Sequence, residues 1–128
     1  MTSTRRAAWL GLILLLAGCQ SRLDADKSFR VDSGSSQSFE IDPPRFEQKV
    51  ALTIETDAPV TVHVFLKKDA EAVEKDLTLK QKSDKTIANW SGDGKGSLEA
   101  TIPAHDIAMV RIESAMKPAN VKVHVQGK

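Results

Sequence analysis

An all-β fold, an antiparallel β-sandwich of about seven or eight short strands, is predicted for most of this 128-residue chain. Three observations predict it. Apolar and polar residues alternate along one short run after another, the period of a strand with one buried face. Clusters of Gly, Pro, Ser and Asp separate the runs. No regular succession of strand and helix occurs, so a parallel α/β architecture is excluded. A sandwich is preferred to a barrel because two facing sheets give each one-sided strand a partner surface.

The runs come in order from Phe29. Phe29 and Val31 share one side, as do Phe39 and Ile41 after "SGSSQS", and Pro43 and Pro44 end that strand. "VALTIET" aligns Val50, Leu52 and Ile54, "DAP" is predicted to turn the chain, and "VTVHVFL" aligns Val60, Val62, Val64 and Leu66. "KKDAEAVEKDL" departs from the pattern. Ala70, Val73 and Leu77 lie at helical spacing and Glu71 precedes Lys75 by four, so a short surface helix is expected near residues 69–77. "LTLKQ" and "KTIANW" read as further strands, "WSGDGKGS" as a Gly-rich hairpin turn, and "SLEATIP", "AMVRIES" and "NVKVHVQ" as the closing strands.

The N-terminus has a different character. Arg5 and Arg6 precede an apolar run, Ala7–Leu16, which is followed by the small residues Ala17 and Gly18 and by Cys19, the only cysteine. This is the order of a secretory signal. The uncharged stretch from Ala7 to Gly18 has 12 residues, well short of the roughly 20 that span a bilayer as a helix. One cysteine cannot form an intramolecular disulfide.

"Leu16-Ala17-Gly18-Cys19" resembles the lipobox of bacterial lipoproteins. The resemblance covers about 20 residues and implies cleavage before Cys19, a diacylglyceryl group on its sulfur and, usually, an acyl chain such as palmitate on its new amino group. Residues 1–18 are then a signal peptide, 19–28 the lipidated Cys and a short tether, and 29–128 the β-sandwich domain. Two or more acyl chains hold a protein on a membrane. In enterobacterial lipoproteins an Asp after the Cys favours the inner membrane; Gln20 here points to the periplasmic side of the outer membrane. Ten residues from Cys19 to Phe29 reach about 36 Å at most, so the domain is expected close to the headgroups.

Loss of Arg5 and Arg6 with the signal leaves 16 Lys plus Arg against 17 Asp plus Glu, a formal charge of −1. Such a balance gives no electrostatic reason to bind nucleic acid. With Trp9 removed, four Phe and one Trp remain, too few for a stacking platform for sugars or single strands. The lysines from Lys67 to Lys85 alternate with Asp and Glu, the composition of a solvated face.

Candidate sites are few. His63 and His124 both fall on outward strand positions and could share a metal ion if their strands were neighbours, although zinc sites use three or four protein ligands. The plain reading is solvated histidines. His105 and Asp106 are adjacent, but no nucleophile motif accompanies them. "DGKG" resembles part of a calcium loop without its alternating acids and closing Glu. Trp90 is either a binding anchor or a core residue.

The strand succession from "VALTIETDAPVTVHVF" to "VKVHVQGK" loosely resembles the bacterial pre-peptidase C-terminal type of β-sandwich, which implies a non-catalytic binding or solubility module. The expectation is therefore a lipid-anchored envelope protein without enzymatic activity or cofactor, whose sandwich binds an envelope protein by a strand edge or a sheet face. The alternative is a metal-binding module built on His63 and His124.

Overall fold

The computed structural model describes residues 23–128; the expected signal peptide, residues 1–18, and the expected lipidation site Cys19 lie outside them. Six strands and one short helix follow in order: β1 (Asp24–Val31), β2 (Ser35–Ile41), β3 (Gln48–Leu66), α1 (Ala70–Thr78), β4 (Thr86–Ile102), β5 (Ala108–Ser114) and β6 (Ala119–Gly127). A 3-10 turn, Lys67–Asp69, leads into α1. The fold is all-β and antiparallel, as the alternation predicts, with fewer strands because two of them are long.

β3 and β4 form one ribbon that serves both layers. The first half of β3 pairs with β6 (Val50↔Gly127 to Thr56↔Val121) and the second half with β5 (Thr61↔Glu113 to Leu66↔Ala108), while β4 runs beside β3 along both halves. β1 completes the first layer against β6, and β2 completes the second against β5. Sheet one is therefore β1-β6-β3-β4 and sheet two is β2-β5-β3-β4. The inward residues of both, among them Leu52, Ile54, Val62, Val64, Val110, Ile112, Val121 and Val123, make one core cluster. Phe29 of β1 stacks on Phe39 of β2 with ring centroids 5.5 Å apart, closing the side of the sandwich opposite β4.

The two turns expected at "DAP" and "WSGDGKGS" are not turns. They face each other across the ribbon: Thr56 pairs with Gly94 and Val60 with Gly92, so β3 holds two more residues here than β4. This bulge is the corner at which the ribbon passes from one sheet to the other, a known use of extra strand residues. Turn-type residues are needed for the same backbone reason. Gly94 has φ +84°, a region that L side chains avoid. The Thr56 hydroxyl donates to the Ala58 carbonyl at 2.7 Å. Asp57 pins the corner to β6, its carboxylate accepting from the Asn120 amide N–H at 2.7 Å and from its side-chain amide at 2.9 Å.

β1 begins at Asp24, inside the expected tether of residues 19–28. Polar composition hid the strand. Asp24 and Asp26 lie on its outer face, where both carboxylates reach His124 of β6. The helix runs one residue later at each end than the expected 69–77. "LTLKQ" is not a strand; its first residues end α1. Lys80 adopts φ +56°, with Lys80 N–H donating to Leu77 C=O at 3.0 Å and Gln81 N–H to Asp76 C=O at 2.8 Å. That pair of bonds is a Schellman close with a lysine where glycine is usual.

Candidate functional site

The segment from Lys67 to Lys85 leaves sheet two at the end of β3 and re-enters it at β4. Its helix contacts the outer face of β3. There Phe65, on outward parity between the core residues Val64 and Leu66, is fully buried, as is Val73 of α1. Neither belongs to the main core cluster, so sheet two has apolar packing on both faces. Beside it lies a concavity of about 1140 Å³, walled by the end of α1 and the loop through Lys80, Lys82 and Ser83, and floored by outward residues of β3, β4 and β5.

His63 is the centre of that floor. It keeps the outward parity expected of it but is only 9% exposed, with Asn89 and Glu113 against its ring nitrogens; a solvated histidine is not found here. Asn89 donates through its side-chain amide to the Thr86 hydroxyl at 3.1 Å, which turns its carbonyl oxygen toward His63. His63 Nδ1 donates to that oxygen at 2.7 Å, and Nε2 lies 3.2 Å from Glu113 Oε1. The other oxygen of Glu113 accepts from Arg111 Nη1 at 2.5 Å. Arg111 Nε is 3.2 Å from Glu74 Oε1 of α1, an ion pair without hydrogen-bond alignment. A chain of polar groups thus runs Thr86–Asn89–His63–Glu113–Arg111–Glu74 from β4 to the helix. Burial alone raises the pKa of Glu113; hydrogen bonds from His63 and Arg111, with the Arg111 charge, outweigh burial and hold the carboxyl below its ordinary value.

His124 sits elsewhere. β3 and β6 are neighbours, but the register places His124 against Thr53. Ten positions of β3 separate Thr53 from His63, on the order of 30 Å of extended chain. The shared metal site considered from strand parity is not assembled, because the two histidines lie on different sheets. His124 Nδ1 is 2.7 Å from Asp26 and Nε2 3.2 Å from Asp24. The hydrogen bond to Asp26 raises its pKa, against a smaller opposing effect of burial, with help from the Asp26 and Asp24 charges. His63 and His124 thus each have both ring nitrogens facing protein acceptors.

Trp90 is half-buried against the core, on the inward parity of β4. Its indole covers Gly96, where an added Cβ would lie 2.1 Å from the ring. Gly92 and Gly96, read as part of a turn, make room for this ring. His105 is exposed at φ +66° and its N–H donates to Pro44 C=O at 2.8 Å, while Asp106 pairs with Lys68 at 3.5 Å; the two shape a connection.

Sequence reasoning singled out His63 but missed Asn89, Arg111, Glu113 and Glu74. Their outward parity was legible. Their convergence depends on strand register and on where the insert folds back, and neither leaves a local pattern.

No family profile and no curated protein sequence matches this chain. Solved structures share its fold. The periplasmic inhibitor of g-type lysozyme PliG from Aeromonas hydrophila is similar at TM-score 0.53 and 11% identity, over 84% of this chain and 87% of that one. The mitogen from Yersinia pseudotuberculosis is similar at TM-score 0.55 and 7% identity, over 80% and 84%. The pre-peptidase C-terminal domain of a Bacillus anthracis collagenase is similar at TM-score 0.53 and 6% identity, over 80% and 89%. The expected loose likeness to the last of these holds as a likeness of fold. Among the described residues no helix is long and apolar enough to cross a membrane.

Proposed function

We propose that this chain is a lipid-anchored, non-catalytic module of the bacterial envelope, held through Cys19 on the periplasmic side of the outer membrane, that binds an envelope protein through the groove on sheet two. The observation that carries the binding surface is the His63 network. Its imidazole nitrogens, the Glu113 carboxylate and the Asn89 amide are committed to one another inside a groove that the fold forms in advance. Groups so committed keep a recognition surface rigid, which lowers the entropic cost of binding. The order of Arg5–Arg6, apolar run, small pair and Cys19 supports the anchor. A sandwich shared with a periplasmic lysozyme inhibitor and with the pre-peptidase C-terminal domain of a collagenase is compatible with a binding role.

Two measurements test this. Labelled fatty acid should enter the wild type and not Cys19→Ala, and a variant that remains equally membrane-bound removes the anchor. A photo-crosslinking residue placed at Ser91 or Lys82, on the groove, should capture an envelope protein in intact cells, whereas one at Lys122, on the bare face of sheet one, should not. Equal capture from all three positions removes the groove as the binding surface.

A further inference from the structure

The loop between β2 and β3 carries Phe46, which is 80% exposed. It is held at a defined place. Pro43 and Pro44 stiffen its first part, and Pro44 C=O accepts the His105 N–H, tying the loop to the connection between β4 and β5. Two residues after Phe46, the Gln48 side chain lies over Gly127 together with Leu23, and Leu23 C=O accepts from Gly127 N–H at 2.8 Å. The exposed phenyl and the point at which the chain enters from Cys19 therefore share one end of the sandwich. Met116, 82% exposed, tips the β5–β6 loop at the other end, a strand length away along β6.

We infer that this end is a membrane seat, in which Phe46 inserts among lipid headgroups and fixes the orientation of the domain. The inference rests on the anchoring reading above. Because β1 starts at Asp24, only four residue steps join Cys19 to Leu23, about 14 Å fully extended. A lipidated Cys19 brings this end near the bilayer but leaves the domain free to stand on it or to lie on a side. One aromatic could not recruit a free protein to a membrane. Here the lipid supplies attachment, so insertion of Phe46 is an intramolecular step at high effective concentration and need only choose among orientations. Arg45 and Glu47 flank Phe46 with opposite charges, so the seat depends on apolar insertion and is insensitive to salt. In this orientation the long axis of the ribbon stands off the bilayer.

The experiment uses the full chain processed in a bacterial host and reconstituted in vesicles containing a headgroup-level quencher lipid. With Cys19 acylated, a cysteine introduced as Glu47→Cys or Met116→Cys is the one free thiol and takes a fluorescent label. Expected is several-fold stronger quenching at position 47 than at 116, unchanged in high salt and abolished when Phe46→Ser is added. Equal quenching at the two positions, or quenching at 47 that persists with Phe46→Ser, overturns the seat in protein whose mass shows the lipid. Protein whose mass shows no lipid overturns the anchor, and the seat with it.

Discussion

The two halves of the β3–β4 ribbon are built from the same pair of strands, yet their outer faces have opposite fates. On sheet one Lys49, Thr53 and Glu55 of β3 point outward, open to solvent, with Ala51 half-buried among them; on sheet two the outward Thr61 is half-buried and His63 and Phe65 are buried. The inward residues of both halves are alike, aliphatic and nearly inaccessible. The difference comes from 19 residues, Lys67 to Lys85, inserted where the ribbon would otherwise close as a hairpin. A bare sheet face has to remain polar. A covered one can hold a histidine, a carboxylate and a guanidinium in fixed relation, and this chain places its polar network there.

The sharpest way to break this difference is to remove the ring that fastens the insert. Phe65→Ala empties a fully buried site between α1 and the sheet, and such truncations cost about 3–5 kcal/mol. A urea denaturation midpoint should fall accordingly, and hydrogen exchange should show the segment 67–85 losing protection before β6. Thr53→Ala, at an exposed position of sheet one, should change the midpoint little, within about 0.5 kcal/mol. Loss of protection spread evenly over both sheets would mean that the insert is not a separate layer.

The corner is the next point of contrast, since it is where the two halves meet. Gly96→Ala would drive a Cβ into the Trp90 indole at 2.1 Å, so the ring must move or the strand must shift, at about 1–3 kcal/mol. Trp90 fluorescence should move to longer wavelength as the ring is displaced toward water. An unshifted spectrum with unchanged stability would show that the glycines are not there for the indole.

This corner also shows where sequence reading stops. Inward residues could be assigned almost completely, because period two survives any strand length and any register. Strand ends could not. "DAP" and "GDGKG" meet the same backbone demands whether the chain reverses or merely bends through a bulge, and only their mutual alignment across the ribbon tells the two apart. Asp24 and Asp26 were read as tether since a strand whose outer face is fully solvated needs few apolar residues. The groove was least legible. His63 stood out as a residue type, but Glu113, Arg111 and Asn89 become its neighbours through pairings 26 to 50 residues apart.

A smaller effect, of opposite sign, is expected at the close of α1. Lys80 occupies the left-handed position of the Schellman close at φ +56°, a conformation that costs an L residue about 1–2 kcal/mol and glycine little. Lys80→Gly should therefore raise stability by about 1 kcal/mol. The gain should appear as slower exchange within the insert, with sheet one unaffected.

The smallest effects separate the His124 and Glu113 clusters by pH. His124 has a folded pKa raised above 6.5 through Asp26, so its contribution is complete below the unfolded value and is lost as pH rises through the folded one. Glu113 has a folded pKa lowered below 4.5, the bonds from His63 and Arg111 overcoming burial. Its contribution is present above the unfolded value and is lost as pH falls through the folded one. Stability curves should show this as two differences moving in opposite directions. The gap between wild type and His124→Gln should narrow from about pH 6 toward about pH 8, and that between wild type and Glu113→Gln from about pH 5 toward about pH 3. The His124 cluster is open to solvent and its gap should shrink further in salt, whereas the Glu113–Arg111 pair is half-buried beside the insert and should be screened less. If Phe65→Ala then made the Glu113 gap as salt-sensitive as that of His124, the cover supplied by Lys67 to Lys85 would be the physical origin of the difference between the two faces.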